Sequence, residues 1–479
     1  MMNPFFQNQS CDPFTPASTP CRLGNYASYS INVTGPDDVI AGMRFAEENN
    51  IRLVVKTTGH DYLGRSSGHG ALNLWMWNLK TISPIPNFDK SYYSGPAIKL
   101  GSGVVAGEAY EAAYEAGYRV VGGLCASIAL AGGYTQGGGH SMLSTAYGMG
   151  ADQVLEWEVV TANGTHIFAT PEENSDLHWA LSGGGGGTFA VVLSMTVKAY
   201  PDGPVAGGTL TVPNTNDSAF WDAIGLWIQQ SEALAGDKNT IVYEVFNNAF
   251  VAYALTLPDQ PRGAVDTLLA DFLADLTQLG LNYTLQITYF DNYRDHFANY
   301  YGPLPFGAVT PTTVLQSRLI PKTVTQDTVA VNKLTNAIRT IVEDGTFLVG
   351  CELVNVPPTA GHLDNAVLPA WREAITGCNM NAYWNFTAPI EENYFLKRIM
   401  EEVYTPLWEA ATPGGGVYLN EMDPWYKGDW KTELFGPNYE RLLAIKHAVD
   451  PSHLFWGKFT VGADELALDG TGRLCEIGP

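Results

Sequence analysis

The chain has 479 residues, of which 46% are hydrophobic and 16% charged, and its formal net charge is −23. That length exceeds one ordinary hydrophobic core and predicts two or three domains, while the apolar content excludes a disordered chain. The acidic balance disfavours nucleic acid and anionic lipid as partners, and no apolar run of about 18 residues reads as a bilayer span.

In chain order, Asp37-Asp38 is placed to cap a helix whose apolar positions Val39, Ile40, Met43 and Ala46 share a face. The β-branched run at 51–57 then reads as a buried strand. A strand over 97–103, a helix over 107–117 and a strand over 118–123 continue the alternation. Residues 154–170 read as a hairpin, with Asn163-Gly164 as a primed turn between two strand-like runs. A long strand over 188–201 ends at Pro201, so the first 200 residues are α+β and rich in glycine turns. From about 206 the texture changes: helices over 217–236, 261–279 and 327–343 separate strand-like runs, as in an antiparallel sheet backed by helices. Residues 439–455 return to a helix with a proline stop, and no period of 20–50 residues indicates a repeat. The run Trp75-Met76-Trp77 reads as sheet packing, and His447 and His453 read as solvated.

The stretches at 54–72, 120–152 and 181–192 are glycine-rich. Glycine lets backbone N–H groups approach a ligand and adopt positive φ, which cradling a pyrophosphate requires. None matches G-x-G-x-x-G or the P-loop pattern, which disfavours a Rossmann or P-loop site. Without H-E-x-x-H or G-x-S-x-G, zinc-protease and serine-hydrolase readings lose support. Of the six cysteines, Cys11 and Cys21 close a short proline-rich loop and read as a local disulfide in an exported protein. If Cys125 is committed elsewhere, at least one of Cys351, Cys378 and Cys475 stays a thiol, and their pairing is open. Sequons at Asn8, Asn32, Asn163, Asn216, Asn282 and Asn385 lean towards a secreted glycoprotein. No signal-peptide pattern is present, which predicts a processed or truncated chain.

"TTGHDYLGRS" after a buried strand, then "GGLCASIALAGGYTQGGGHS", then "LSGGGGGTFAVV" running into a strand, and the tail at 418–464, together resemble one family. It is the berberine-bridge-enzyme-like branch of the vanillyl-alcohol oxidase family, in its fungal form. The resemblance covers nearly the whole chain. It implies a two-domain PCMH-type FAD-binding fold, with the substrate domain built on an antiparallel sheet backed by helices. The FAD-binding part would span 1–205 and return over 425–479, with the substrate-binding part at 206–424. His60 matches the histidine bonded to the 8α-methyl carbon of the isoalloxazine, and Cys125 the cysteine bonded to ring carbon six. Thr57, Thr58, Gly59, Asp61, Gly64 and Ser66 would hold the phosphates. Gly132, Gly133, Gly137, Gly138 and Gly139 would line the flavin's other side, with His140, Asp152, Gly186 and Val191 completing the cofactor set. Ala126 stands where relatives usually carry proline, which alters the rigidity of the cysteine loop.

The activity implied is hydride transfer from an alcohol-like C–H to flavin N5, with dioxygen reduced to hydrogen peroxide and a base removing the O–H proton. "VYLNEMD" reads as a strand with Tyr418, Asn420 and Met422 on one face and Leu419, Glu421 and Asp423 on the other. Relatives often show Tyr-x-Asn-Tyr-x-Asp here, and Glu421 stands in place of the second tyrosine. The base is therefore sought among Tyr418, Asn420, Glu421 and Tyr147, with His140 a further candidate. Leu130 bears on a dehydrogenase alternative, because a bulky residue in that loop hinders oxygen. A non-catalytic secreted flavoprotein is the other alternative. The expected partners are a small-molecule substrate and dioxygen, in a monomer.

Overall fold

The computed structural model describes residues 14–308, 312–356, 363–470 and 473–477, which form a mixed α+β architecture. A three-stranded parallel sheet runs in the order Tyr29–Asn32, Leu72–Trp75, Leu53–Lys56. Helix Pro36–Glu48 buries Val39, Met43 and Ala46, the i, i+4, i+7 spacing of a single face. A Cβ at Gly42 would lie 2.7 Å from both Ile31 and Leu74, so glycine there lets the helix approach the sheet. The cap position is Gly35, and Asp37 and Asp38 fall inside the first turn. Asp38 instead reaches back, accepting from Thr34 N at 2.8 Å and Thr34 Oγ1 at 2.7 Å.

A five-stranded antiparallel sheet follows in the order Ile82–Lys90, Tyr93–Gly101, Val191–Lys198, Val154–Val160, His166–Ala169. The 154–170 hairpin is present, but Val160 pairs with His166, leaving the longer loop 161–165 in place of a two-residue turn. Gly164 takes φ +79°, while the Asn163 side chain accepts from Thr161 Oγ1 at 2.7 Å and Thr165 N at 3.1 Å. Asparagine here ties the loop through its side chain instead of its backbone conformation.

The seven-stranded antiparallel sheet has the order Thr284–Phe290, Val205–Pro213, Ala249–Pro258, Thr240–Val245, Leu348–Leu353, Ala374–Tyr383, Thr313–Pro321. Its period of two sorts the side chains by face. Val349, Cys351, Leu353, Met380 and Ala382 join an apolar cluster with helices Asp217–Gln229, Ala264–Gln278 and Thr328–Val342. Gly350, Glu352, Asn379 and Asn381 line a cavity on the other side. Cys351 and Cys378 are directly opposed across neighbouring strands and form a disulfide, leaving Cys475 as an exposed thiol. Cys21 is disulfide-bonded, and Cys11 lies outside the described residues. No helix among the described residues is long and apolar enough to cross a membrane.

The C-terminal segment packs on the first part of the chain. Val417, Leu419, Leu434, Leu442 and Val461 share one apolar cluster with Leu100, Trp157 and Phe189. Helix Tyr439–Val449 ends beside a buried ion pair, in which Lys446 Nζ donates to Asp450 Oδ2 at 2.5 Å, Thr188 O at 2.8 Å and Phe455 O at 2.7 Å. Lys446 is 1% exposed and Asp450 is fully buried. Asp450→Ala would strand that ammonium in the core and is expected to cost about 3–5 kcal/mol. Urea unfolding of the protein checks this; a midpoint equal to wild type would show that the pair is not structural.

Candidate active site

A cavity of about 430 Å³ lies between the glycine loops and the open face of the seven-stranded sheet. One wall is built by residues 57–62, 65–66, 123–125, 131–133 and 186–187 with Phe455 and Trp456. The opposite wall presents Glu244, Leu315, Gly350, Glu352, Asn379 and Asn381, and Trp371, Tyr418, Asn420, Glu421 and His140 complete the lining.

The first loop is held by its own charges. Asp61 accepts from Arg65 N at 2.6 Å and from Arg65 Nε at 2.9 Å, and Gly59 and Gly64 bend the chain at φ +83° and +73°. Asp61 thus lines the cavity while serving as the lock of the turn. This places His60 against the second loop, with Nε2 2.9 Å from Ser127 Oγ, two residues after Cys125. Burial pushes His60 down to about 4, so its imidazole is neutral at pH 7. Cys125 carries a thiol. A Cβ at Gly132 would sit 2.8 Å from Thr57 Oγ1, whereas Gly133 and Gly187 face open space. Ser102 Oγ, Arg65 Nη1 and Gln136 Oε1, from residues of the lining, are buried without a hydrogen-bond partner among the described residues. Buried polar atoms are normally satisfied. Such atoms in a glycine-walled cavity fit a large polar ligand with amide and phosphate groups, as FAD has.

The structure brings Thr57, Thr58, Gly59, His60, Asp61, Ser66, Cys125, Gly132, Gly133, His140 and Gly186 to this cavity, with Tyr418, Asn420 and Glu421. Gly64, Gly137, Gly138, Gly139, Asp152, Val191 and Tyr147 are not part of its lining. Gly138 and Gly139 pack on Met149 and Tyr134, and Val191 lies in the core behind the parallel sheet. Fully buried Asp152 accepts from Arg372 Nη1 at 2.9 Å, Asn365 Nδ2 at 2.6 Å and Met149 N at 2.8 Å, so it fixes the turn carrying Trp371. Tyr147 stacks on Tyr200 at 3.9 Å, beneath the Arg119 guanidinium at 5.5 Å. Glycine and polar residues in a motif announce close packing; they do not say against what. Tyr147→Phe is expected to keep the rate of flavin reduction by substrate within about twofold of wild type. A large drop would return Tyr147 to the site.

The segment at 417–423 is not a strand. Leu419–Glu421 forms a 3₁₀ turn, whose period of three sets Tyr418 and Glu421 on the same side. Met422 and Asp423 turn into the interior instead. The turn is pinned by Tyr418 N donating to Ser317 Oγ at 3.1 Å and Asp423 N to Gln316 Oε1 at 2.6 Å. Buried Lys397 meets Asp423 at 2.5 Å. Glu421 Oε1 lies 3.2 Å from His140 Nε2, and its Oε2 accepts from Asn379 Nδ2 at 3.1 Å. His140 Nδ1 makes an ion pair with Glu352. Burial would lower His140, but the charge of Glu352 and the contacts to both carboxylates raise it well above the usual histidine range. The ring is therefore an imidazolium between two glutamates.

Asn420 Nδ2 donates to Tyr418 OH at 2.8 Å. Burial, helped by the charge of Glu421, pushes the Tyr418 phenol far up, so it stays protonated and can donate but not take a proton. Trp371 meets Tyr418 edge-on at 5.5 Å. Tyr62 shares the cavity lining with both Cys125 and Glu421, linking the attachment loops to the glutamate cluster. Sequence reasoning missed Glu352, Glu244, Asn379, Trp371 and Tyr62. Glu352 carried a signal, because a lone charge inside the apolar run "LVGCELV" needs a buried partner.

Comparison with known proteins follows the same lines. The family described as FAD binding domain matches residues 27–170, and the family described as berberine and berberine like matches residues 417–459. The chain is 49% identical to the bifunctional decalin synthase calF of Penicillium decumbens, over 100% of this chain and 84% of that protein. It is 47% identical to the VAO-type flavoprotein oxidase VAO615 of Thermothelomyces thermophilus, over 98% of this chain and 82% of that one. The crystal structure of the VAO-type flavoprotein MtVAO615 from Myceliophthora thermophila C1 superposes with a TM-score of 0.95 at 46% identity, covering 99% of this chain and 87% of that chain. A glucooligosaccharide oxidase from Acremonium strictum, described with a 6-S-cysteinyl, 8α-N1-histidyl FAD, shares the fold at a TM-score of 0.74 and 16% identity, over 91% and 92% of the two chains.

Proposed function

The chain belongs to the VAO-type, berberine-like family of FAD-linked oxidoreductases, and we propose that it oxidises an alcohol-like small molecule and returns the electrons to dioxygen as hydrogen peroxide. The observation that carries this reading is the Glu421–His140–Glu352 cluster at the cavity, a proton acceptor beside the loops read as the flavin's attachment sites. In the proposed reaction, R₂CHOH and O₂ become R₂C=O and H₂O₂. FAD, which the 57–66 loop would hold and His60 and Cys125 would bond, would supply the two-electron acceptor.

The chain's own residues handle the proton. Glu421 takes it from the substrate hydroxyl, and Asn379 fixes the carboxylate's orientation. The His140 imidazolium offsets one of its two neighbouring glutamates, so the cluster becomes neutral when Glu421 takes the proton. Tyr418 accepts from Asn420, which leaves its own O–H to donate to the substrate oxygen.

Besides the Asp61–Arg65 pair, whose charges cancel, Glu244, Glu352 and Glu421 face the cavity with His140, and this charge balance favours neutral or cationic substrates over carboxylates. Leu130 is buried outside the lining, which supports dioxygen as the acceptor. The test is to reduce the protein anaerobically with a panel of phenolic, carbohydrate and polycyclic alcohols, admit air and quantify peroxide. Fast reoxidation with one peroxide per substrate supports the reading; reoxidation slower than turnover with an artificial acceptor makes the protein a dehydrogenase.

A further inference from the structure

Outside this site, the C-terminal segment brings together a second group of ligating side chains. His447 lies on the last turn of helix Tyr439–Val449, His453 in the loop that follows, and Glu465 in the turn Ala463–Glu465. His447 Nε2 is 2.9 Å from Glu465 Oε1, and His453 Nε2 is 2.9 Å from Glu465 Oε2. One ligand atom from each residue falls within 4.8 Å of the others, and the two imidazole rings stand at 82°. We infer that His447, His453 and Glu465 form a site for a divalent transition ion of the zinc class.

The chemistry follows from the donors. Two imidazole nitrogens and a carboxylate are a recognised zinc set that leaves a fourth position for water. Zinc bonds of about 2.0–2.2 Å in a tetrahedron separate ligand atoms by about 3.4 Å, inside the range the three atoms already span. Without an ion, each Nε2 must carry a proton to donate to the carboxylate; binding exchanges those protons for the metal. Buried Lys446, next to His447 on the same helix, is already paired with Asp450. The protein's net charge of −23 also draws cations to its surface. His447 is about half exposed and His453 is 16% exposed, so an ion reaches them from solvent.

The ligands come from three consecutive pieces of chain, and the middle piece leads to the cofactor cavity. Asp450 accepts from Leu454 N and Phe455 N, each at 2.9 Å, and Phe455 and Trp456 line the cavity. Gly457 then packs on Arg65, the partner of Asp61 beside His60. An ion at this site fastens the loop that walls the cofactor.

The test uses tag-free holoprotein stripped with chelator and titrated with zinc chloride by calorimetry, with melting temperature as a second readout. The expected result is one site, with an affinity on the order of micromolar, and a higher melting temperature with zinc. His453→Gln and Glu465→Gln are each expected to weaken binding at least about tenfold while melting like wild type in chelator. Magnesium chloride should give no saturable site, since it demands oxygen ligands. The inference is overturned if wild type shows no stoichiometric zinc binding, if magnesium binds equally, or if the His447→Ala/His453→Ala double variant binds zinc as wild type does. None of these readouts depends on turnover.

Discussion

Glu421→Gln is expected to lower kcat by about 10²–10⁴-fold while leaving the flavin attached and its absorbance in place. Glutamine keeps the length of the side chain and can still face Asn379 and His140, so the cavity keeps its shape. What disappears is the one carboxylate of the 418–421 turn, beside a Tyr418 phenol held protonated by burial and by Glu421's charge. KM should change little, since the loss falls on the transition state and not on binding. Stopped-flow flavin reduction measures the step directly. Reduction within threefold of wild type would move the base elsewhere, and Glu352, next along the ion-pair chain, would be the group to examine.

The second large effect concerns attachment. His60→Ala and Cys125→Ala should each leave a flavin that stays with acid-precipitated protein, through the one remaining bond. The double variant should release all of it to the supernatant. His60 is suited to the role because burial holds it neutral at pH 7, leaving a nitrogen lone pair available, and Ser127 orients the ring. Cys125 sits in the facing loop, where buried Ala126 packs close to Gly307 in place of the proline common in relatives. Fluorescence of denaturing gels before and after acid, with a spectrum of the native protein, reads all three variants. Flavin lost from either single variant would reduce the linkage to one residue.

Local features of the fold were legible in the chain. The helix at 36–48, the hairpin at 154–170 and the alternation of strands and helices after 206 depend on periodicity within a few residues. The glycine loops were legible for a similar reason, as each is a short segment whose conformation its own residues impose. Their chain order and the C-terminal motif also carried the family. What lies around these residues was not legible, because it comes from distant parts of the chain. Gly137, Gly138 and Gly139 belong to the same glycine run as Gly132 and Gly133 but are not in the cavity lining; Gly137 packs against Asn420 and Gly139 against Tyr134. Tyr147 and Asp152 are polar residues near that motif whose partners, Tyr200 and Arg372, lie far along the chain. The 417–423 segment alternates like a strand but has no strand to pair with, and so closes into a 3₁₀ turn.

By itself, then, the sequence determined the class of fold, the cofactor loops and Glu421 as a departure worth testing. The tertiary structure alone decided what surrounds that glutamate. His140 and Glu421 are 281 residues apart, and Glu352 reaches His140 from a strand of the seven-stranded sheet. An ion cluster of this kind leaves no period along the chain, because its energy arises only when a sheet face is laid over a loop and water is excluded.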